Sequence, residues 1–292
     1  MRLLVCTLLA IALTSTTPSV PWTEVRTAVS APICVLAYSL PDGSEGHNAV
    51  TGMRESCKLP PADTPLERAV DKAYERARPL TASLQIEGLS AAYDKELSHD
   101  ERTRRAREVY LASEDFLRAV VPRLRDALAT ENLVCMGCPE FRPRPVRRLN
   151  WAEFAPYLAA HVWPDPVQTP TDSKGKSAGR PNFSFHVCGG LNGVAEMKDP
   201  DASLVRAGFV AAYQNRAFLQ RAGTAFGEAL SASEFSELTD DEARTRYLRR
   251  RVPSATVMDP VARAAACHVL VSFKAELGLE ISDCAIATSE TH

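Results

Sequence analysis

Apolar residues recur at helical spacing along most of this chain. Leu66, Ala69, Val70, Ala73 and Ala77 line one face of a helix. Thr64-Pro65-Leu66-Glu67 opens that helix as a capping box with proline at the first helical position, and Pro79 is expected to end it. A second helix is predicted from about Thr81 to Leu97, carrying Leu84, Leu89 and Tyr93. Ser98-His99-Asp100-Glu101 forms another capping box and starts a long charged helix. Val109, Phe116, Leu117 and Val120 are its inward stripe, and Pro122 is expected to kink or split it. Asn150-Trp151-Ala152-Glu153 reads as a further helix start. Asp199-Pro200 reads as cap and first residue of the most strongly periodic segment, which runs through Leu204, Val205, Phe209, Ala212, Phe218, Leu219 and Phe226. Thr239-Asp240-Asp241-Glu242 starts a helix through Leu248, with Pro253 as its end. Asp259-Pro260 starts the last helix, and Gly278 is its C-terminal cap.

One stretch breaks the helical period. Phe183, Phe185 and Val187 alternate with Ser184, His186 and Cys188, which predicts a short strand. Gly189-Gly190 and Asn192-Gly193 are turn signals, and the second could close a small hairpin with Val194 to Met197. The pattern therefore predicts a mainly α protein: an irregular helical bundle of about seven or eight helices with a short central β element and disulfide staples.

The domain reading follows. Met1-Arg2, the apolar run Leu3 to Leu13 and the small polar residues after it form a secretory signal peptide over residues 1–20. Cleavage is expected near Thr17 to Val20, or as late as Ala31, and a buried first helix is the other reading. No later stretch is long and apolar enough to span a bilayer. Residues 21–62, rich in Pro, Gly and Ser, read as an irregular cysteine-tied segment in which Ile33 to Leu40 could be a strand. Residues 63–163 are a helical half. Residues 164–181, with four prolines, are a linker or loop. Residues 182–292 are a strand plus a helical half, packed with 63–163 as one domain.

Composition narrows the function only a little. The chain has 292 residues with 34 Lys and Arg against 36 Asp and Glu, a formal charge of −2. Bulk charge thus favours neither nucleic acid nor a membrane surface as a partner. Arginine greatly outnumbers lysine, which fits GC-rich coding bias better than selection for anion recognition.

The cysteines carry more. With Cys6 lost in the leader, Cys34, Cys57, Cys135, Cys138, Cys188, Cys267 and Cys284 remain. Export to an oxidising space, secreted or periplasmic in a bacterium, favours disulfides. Cys34 with Cys57 and Cys267 with Cys284 are the natural local pairs, and each would contribute roughly 3 kcal/mol by restricting the unfolded chain. Cys135, Cys138 and Cys188 are left. They could form one disulfide and one free thiol. Joined by His186, which shares a strand face with Cys188, they could hold zinc as three sulfurs and one imidazole. Cys135-Met136-Gly137-Cys138 could also be a redox pair, although no βαβ pattern surrounds it.

The other motifs are weaker. Gly175-Lys176-Ser177-Ala178-Gly179 matches a nucleophile elbow but lies in the proline-bounded linker. His47, His99, His161, His268 and His292 read as lone surface or capping histidines. Arg102 to Arg107 interleave with acids, Arg142 to Arg148 fall in a loop, and Arg249 to Arg251 sit at a helix end where the dipole favours them. No motif set brings nucleophile, base and orienter together. The reading is an exported, disulfide-stabilised helical binding or interaction protein whose ligand is a protein or a small molecule. The alternative is a metal-binding or thiol-redox protein centred on Cys135, Cys138, His186 and Cys188.

Overall fold

The computed structural model describes residues 17–39, 45–167, 182–187 and 192–284. The fold is mainly α, with twelve α-helices, four two-stranded ribbons and three disulfides among the described residues. Two compact units are present: Met1–Arg76 with Glu87–Pro139, and Ala77–Ile86 with Glu140–His292.

The first unit opens with β1 (Ser19–Pro21) and α1 (Trp22–Ser30), where the sequence suggested irregular chain. Val25 and Val29 of α1 are fully buried, so this helix is part of the core. β2 (Cys34–Ser39) and β3 (Glu45–Val50) pair antiparallel, Cys34 opposite Val50. α2 (Pro65–Ala82) begins at the expected capping box: Thr64 N donates to Glu67 Oε2 at 3.1 Å and Glu67 N donates to Thr64 Oγ1 at 3.2 Å. Those bonds hold the Glu67 carboxyl below its usual pKa. Pro79 lies inside α2 instead of ending it. Beyond Ala82 the chain does not form the helix expected to Leu97; only a 3-10 turn, Leu89–Tyr93, is present, and Gly88 before it is left-handed at φ 78°.

α3 (His99–Ala112) and α4 (Glu114–Thr130) are the two parts of the long charged helix. The split falls at Ser113, not at Pro122. Ser113 has extended backbone, its N–H reaches the carbonyls of Val109 and Tyr110, and its hydroxyl accepts from Phe116 N at 3.3 Å. One residue is therefore both C-cap and N-cap. Pro122 stays within α4, and the Arg123 guanidinium donates to the carbonyl of Ala119 at 2.9 Å in the turn the proline disturbs.

The first core gathers Val25, Val29, Ile33, Val70, Tyr74, Phe116, Val120, Leu124 and Leu128. Tyr74 donates its hydroxyl to Val29 O at 2.6 Å and packs 6.1 Å from the Phe116 ring; burial raises its pKa. Gly52 lets this happen: its φ is 76°, and a Cβ there would lie 2.5 Å from Tyr74 Cβ. Arg107 ties the end of α1 to α3 by donating to the carbonyls of Ala31 and Ile33. β4 (Val134–Met136) closes the unit, running parallel to β1.

The second unit begins with β5 (Arg147–Leu149) and α5 (Trp151–Ala159), which starts where expected, at Asn150, through a capping box with Glu153. β6 (Val162–Val167) follows and pairs antiparallel with β7 (Asn182–Val187), the strand expected from alternation. β6 was hidden by Pro164 and Pro166, which read as linker. The two prolines are spaced by two residues, so both missing N–H groups fall on one edge of the ribbon, where a strand tolerates them. α6 (Asn192–Ala195) is a short helix where a hairpin strand was expected.

α7 (Ala202–Ala212) is capped by Asp201, not by Asp199. Asp201 Oδ1 accepts from Ser203 N and Leu204 N, and the Ser203 hydroxyl, with Arg147, brings its carboxyl down to about 2. α8 (Arg216–Ser231), α9 (Ser233–Glu237), α10 (Asp241–Met258), α11 (Pro260–Ser272) and α12 (Lys274–Leu277) complete the helices; Gly278, at φ 61°, caps the short α12, whereas the helix begun at Asp259-Pro260, which it was expected to cap, ends at Ser272 with Phe273 as its C-cap. α10 passes through Pro253, whose ring is buried in the helix face, so the expected stop at Pro253 is wrong. β8 (Leu279–Ile281) then pairs parallel with β5.

Trp151, Phe154, Leu158, Leu204, Phe218, Leu248, Val252 and Leu270 form the second core. α7 meets α5 at Gly208, where a Cβ would come within 2.6 Å of the Tyr157 carbonyl oxygen. His161 is sealed in beside this contact. Only 3% exposed, it donates Nε2–H to Val205 O at 2.9 Å and packs edge-on to Phe209. It is a satisfied core histidine, neither surface nor cap. Burial lowers its pKa below 6.5. The unfolded state therefore binds a proton that the fold resists. Its contribution is complete above pH 6.5 and is lost as pH falls from there toward the folded pKa. Urea unfolding across that window is expected to show falling stability in the wild type, and a flatter profile in His161→Gln.

Candidate binding groove on the arginine-rich helix

The arginine run of the second unit lies in the middle of α10, not at a helix end, so the dipole does not explain it. Leu248, Val252 and Val257 point into the core and leave the arginines on the opposite side. Two clefts open there. One, of about 660 Å³, is lined by Glu196, Leu238, Ala243, Arg246, Tyr247, Arg249 and Arg250. The other, of about 770 Å³, is lined by Glu234, Glu237, Leu238, Tyr247, Arg250, Arg251 and Ser254. Leu238, Tyr247 and Arg250 belong to both, so the clefts form one continuous groove.

The arginines around it are not equivalent. Arg249 is a tie: its Nη2 bonds Asp165 at 2.8 Å, its Nη1 lies 3.5 Å from Glu196, and its guanidinium stacks 4.2 Å from the Trp163 ring. Asp165 is held in turn by Trp163 Nε1, at 3.2 Å. This joins β6 to α10. Arg244 lies 3.5 Å from Asp241 and over the Phe235 ring. Arg246 pairs with Glu242 one turn back. Arg250 and Arg251 have no hydrogen-bond or ion-pair partner among the described residues. Arg246 and Arg250 are four apart on one helix, where like charges repel. The uncompensated guanidiniums of Arg250 and Arg251, which line one cleft together with Tyr247, are suited to an anionic group.

No protein-family model matches this chain, nor does any curated protein or solved structure.

The cysteines pair as Cys34–Cys57, Cys135–Cys138 and Cys267–Cys284. Cys188 lies outside the described residues, as do Ser177 and the rest of its glycine motif, and of His186 only the backbone in β7 is described. No group of three His, Cys, Asp or Glu side chains able to hold a metal occurs among the described residues. Zinc at Cys135, Cys138, His186 and Cys188 would first require the Cys135–Cys138 bond to be reduced, because the ligand is a thiolate. The other arginine groups are structural: Arg104 and Arg105 pair with Glu101, Arg147 with Asp201, and Arg148 with Glu280. Among the described residues no helix is long and apolar enough to cross a membrane.

The sequence reading set Arg249 to Arg251 aside as a helix end and did not single out Tyr247, because it stopped α10 at Pro253. The available signal was that no acid lies three or four residues from Arg250 or Arg251. The division of labour has a measurable consequence. Arg249→Ala is expected to cost about 1 kcal/mol in urea unfolding, the sum of a half-exposed ion pair and a cation–π contact. Arg250→Ala is expected to stay within about 0.5 kcal/mol of wild type.

Proposed function

We propose that this is an exported, disulfide-stabilised helical protein that binds an anionic ligand in the groove of α10. Arg250, unpaired and shared by both clefts, carries this reading. A guanidinium left without a carboxylate gains most from a ligand that brings one, or a phosphate, to it. Arg249 and its Trp163–Asp165 partners would hold the wall, Tyr247 and Leu238 would meet the ligand's apolar part, and Glu196, Glu234 and Glu237 would meet donors on it. Calorimetric titration with inorganic pyrophosphate and with hexaglutamate tests the reading. Wild type is expected to bind at least one, and Arg250→Ala with Arg251→Ala is expected to weaken it at least tenfold, about 1.4 kcal/mol. No binding of either probe, or equal binding by the double variant, would refute the groove.

Export is supported by the leader pattern of residues 1–16 and by the three intramolecular disulfides, which persist in an oxidising space. A cut after Ala31 would delete α1 and with it Val25 and Val29 of the core. The mature chain is therefore proposed to begin between Thr17 and Val20, ahead of α1. N-terminal sequencing of exported protein should give a start in that interval; a start at Pro32 would contradict it.

A further inference from the structure

The three disulfides differ in what they enclose. Cys34–Cys57 and Cys267–Cys284 span separations of 23 and 17 residues, while Cys135–Cys138 spans 3. Loop closure restricts the unfolded chain least for the shortest loop, so Cys135–Cys138 adds least to stability. It can open at the smallest loss to the fold.

Its surroundings differ as well. Cys267 and Cys284 are both sealed in the second core, whereas Cys34–Cys57, like Cys135–Cys138, joins a buried cysteine to a partly covered one. Cys135 is only partly covered, and its neighbours on β4, Val134 and Met136, are 51% and 53% exposed. Side chains alternate along a strand, so Val134 and Met136 lie on the face of β4 opposite Cys135. Cys138, by contrast, is buried. The loop is also held by bonds that do not involve the disulfide. β4 stays paired with β1, Val20 opposite Cys135. Gly137 takes the left-handed turn at φ 73°. Arg125 Nη2 donates to the carbonyls of Cys138 and Pro139 at 2.9 and 3.0 Å. That guanidinium fixes the backbone at Cys138 whether or not the disulfide is closed.

We propose that Cys135–Cys138 is a thiol–disulfide exchange site whose substrates are protein dithiols, with Cys135 as the sulfur attacked. A thiolate of the partner attacks Cys135 Sγ, the Sγ–Sγ bond breaks, and Cys138 leaves as a thiolate that takes a proton from water. The partner's second thiolate then attacks its own sulfur in the mixed disulfide and releases Cys135 as a thiolate, which is also protonated. Two electrons and two protons pass to this protein, and the partner dithiol becomes a disulfide. This is independent of the groove on α10.

The test uses the oxidised full-length chain and a reduced two-cysteine peptide, with alkylation and peptide mapping to report each cysteine. Cys135 and Cys138 should become labelled at peptide concentrations at least about tenfold below those that open the other two disulfides, with helical circular dichroism unchanged. Simultaneous opening of all three, or earlier opening of either other pair, would overturn the proposal. In the reverse direction, with the peptide supplied in its disulfide form, Cys138→Ala should form a mixed disulfide through Cys135 at least about tenfold faster than Cys135→Ala does through Cys138. Equal capture at the two positions would also overturn it.

Discussion

The groove exists because of what α10 hides. Leu248, Val252, Pro253, Thr256 and Val257 are buried on one side of this helix, and Thr256 returns its hydroxyl to the Val252 carbonyl at 2.8 Å. Burying that stripe among the side chains of the second core fixes the rotation of the helix about its axis. With the rotation fixed, Arg246, Arg250 and Arg251 have only the solvent side available. Arg249 lies at the margin between the two sides, which is why it can reach back to Trp163 and Asp165 on β6. The position of each cation is thus a consequence of apolar packing, and the charge pattern follows from the core.

Much of the architecture could be read from the residues alone. The capping box at Thr64 and the helix starts at Asn150 and at Asp259-Pro260 are local signals with local outcomes, and each is found where expected. The strand at Phe183 to Val187 was visible for the same reason: alternation is a property of a few adjacent residues. Proline misled the reading. Pro79, Pro122 and Pro253 carry the local signal of a helix end or break, yet all three lie inside helices. A proline removes one hydrogen bond, and a helix whose apolar side is buried on both sides of it loses less by keeping that defect than by stopping. Ser113 shows the opposite case, a residue of modest propensity that ends one helix and starts the next because its side chain and backbone serve both. β6 and the groove depended on pairings across long sequence separations, Trp163 with His186 and Asp165 with Arg249, which no local pattern announces.

The two longer disulfides and the short one divide along the same line. Cys34–Cys57 binds the start of β2 to the segment before α2, and Cys267–Cys284 binds α11 to the chain after β8. Both join pieces that no backbone ladder connects directly. Cys135–Cys138 joins residues already fixed by a parallel ladder and by Arg125, so its bond is redundant with its surroundings.

The junction at Ser113 has a bearing on how sequences of this fold can change. With a single residue between α3 and α4, one extra amino acid would turn every later position of α4 by about 100° and carry Phe116, Val120 and Leu124 out of the core. Length variation is thus barred from this corner. It would have to be absorbed in the irregular chain between Leu84 and Leu97, where only one 3-10 turn has to keep its place.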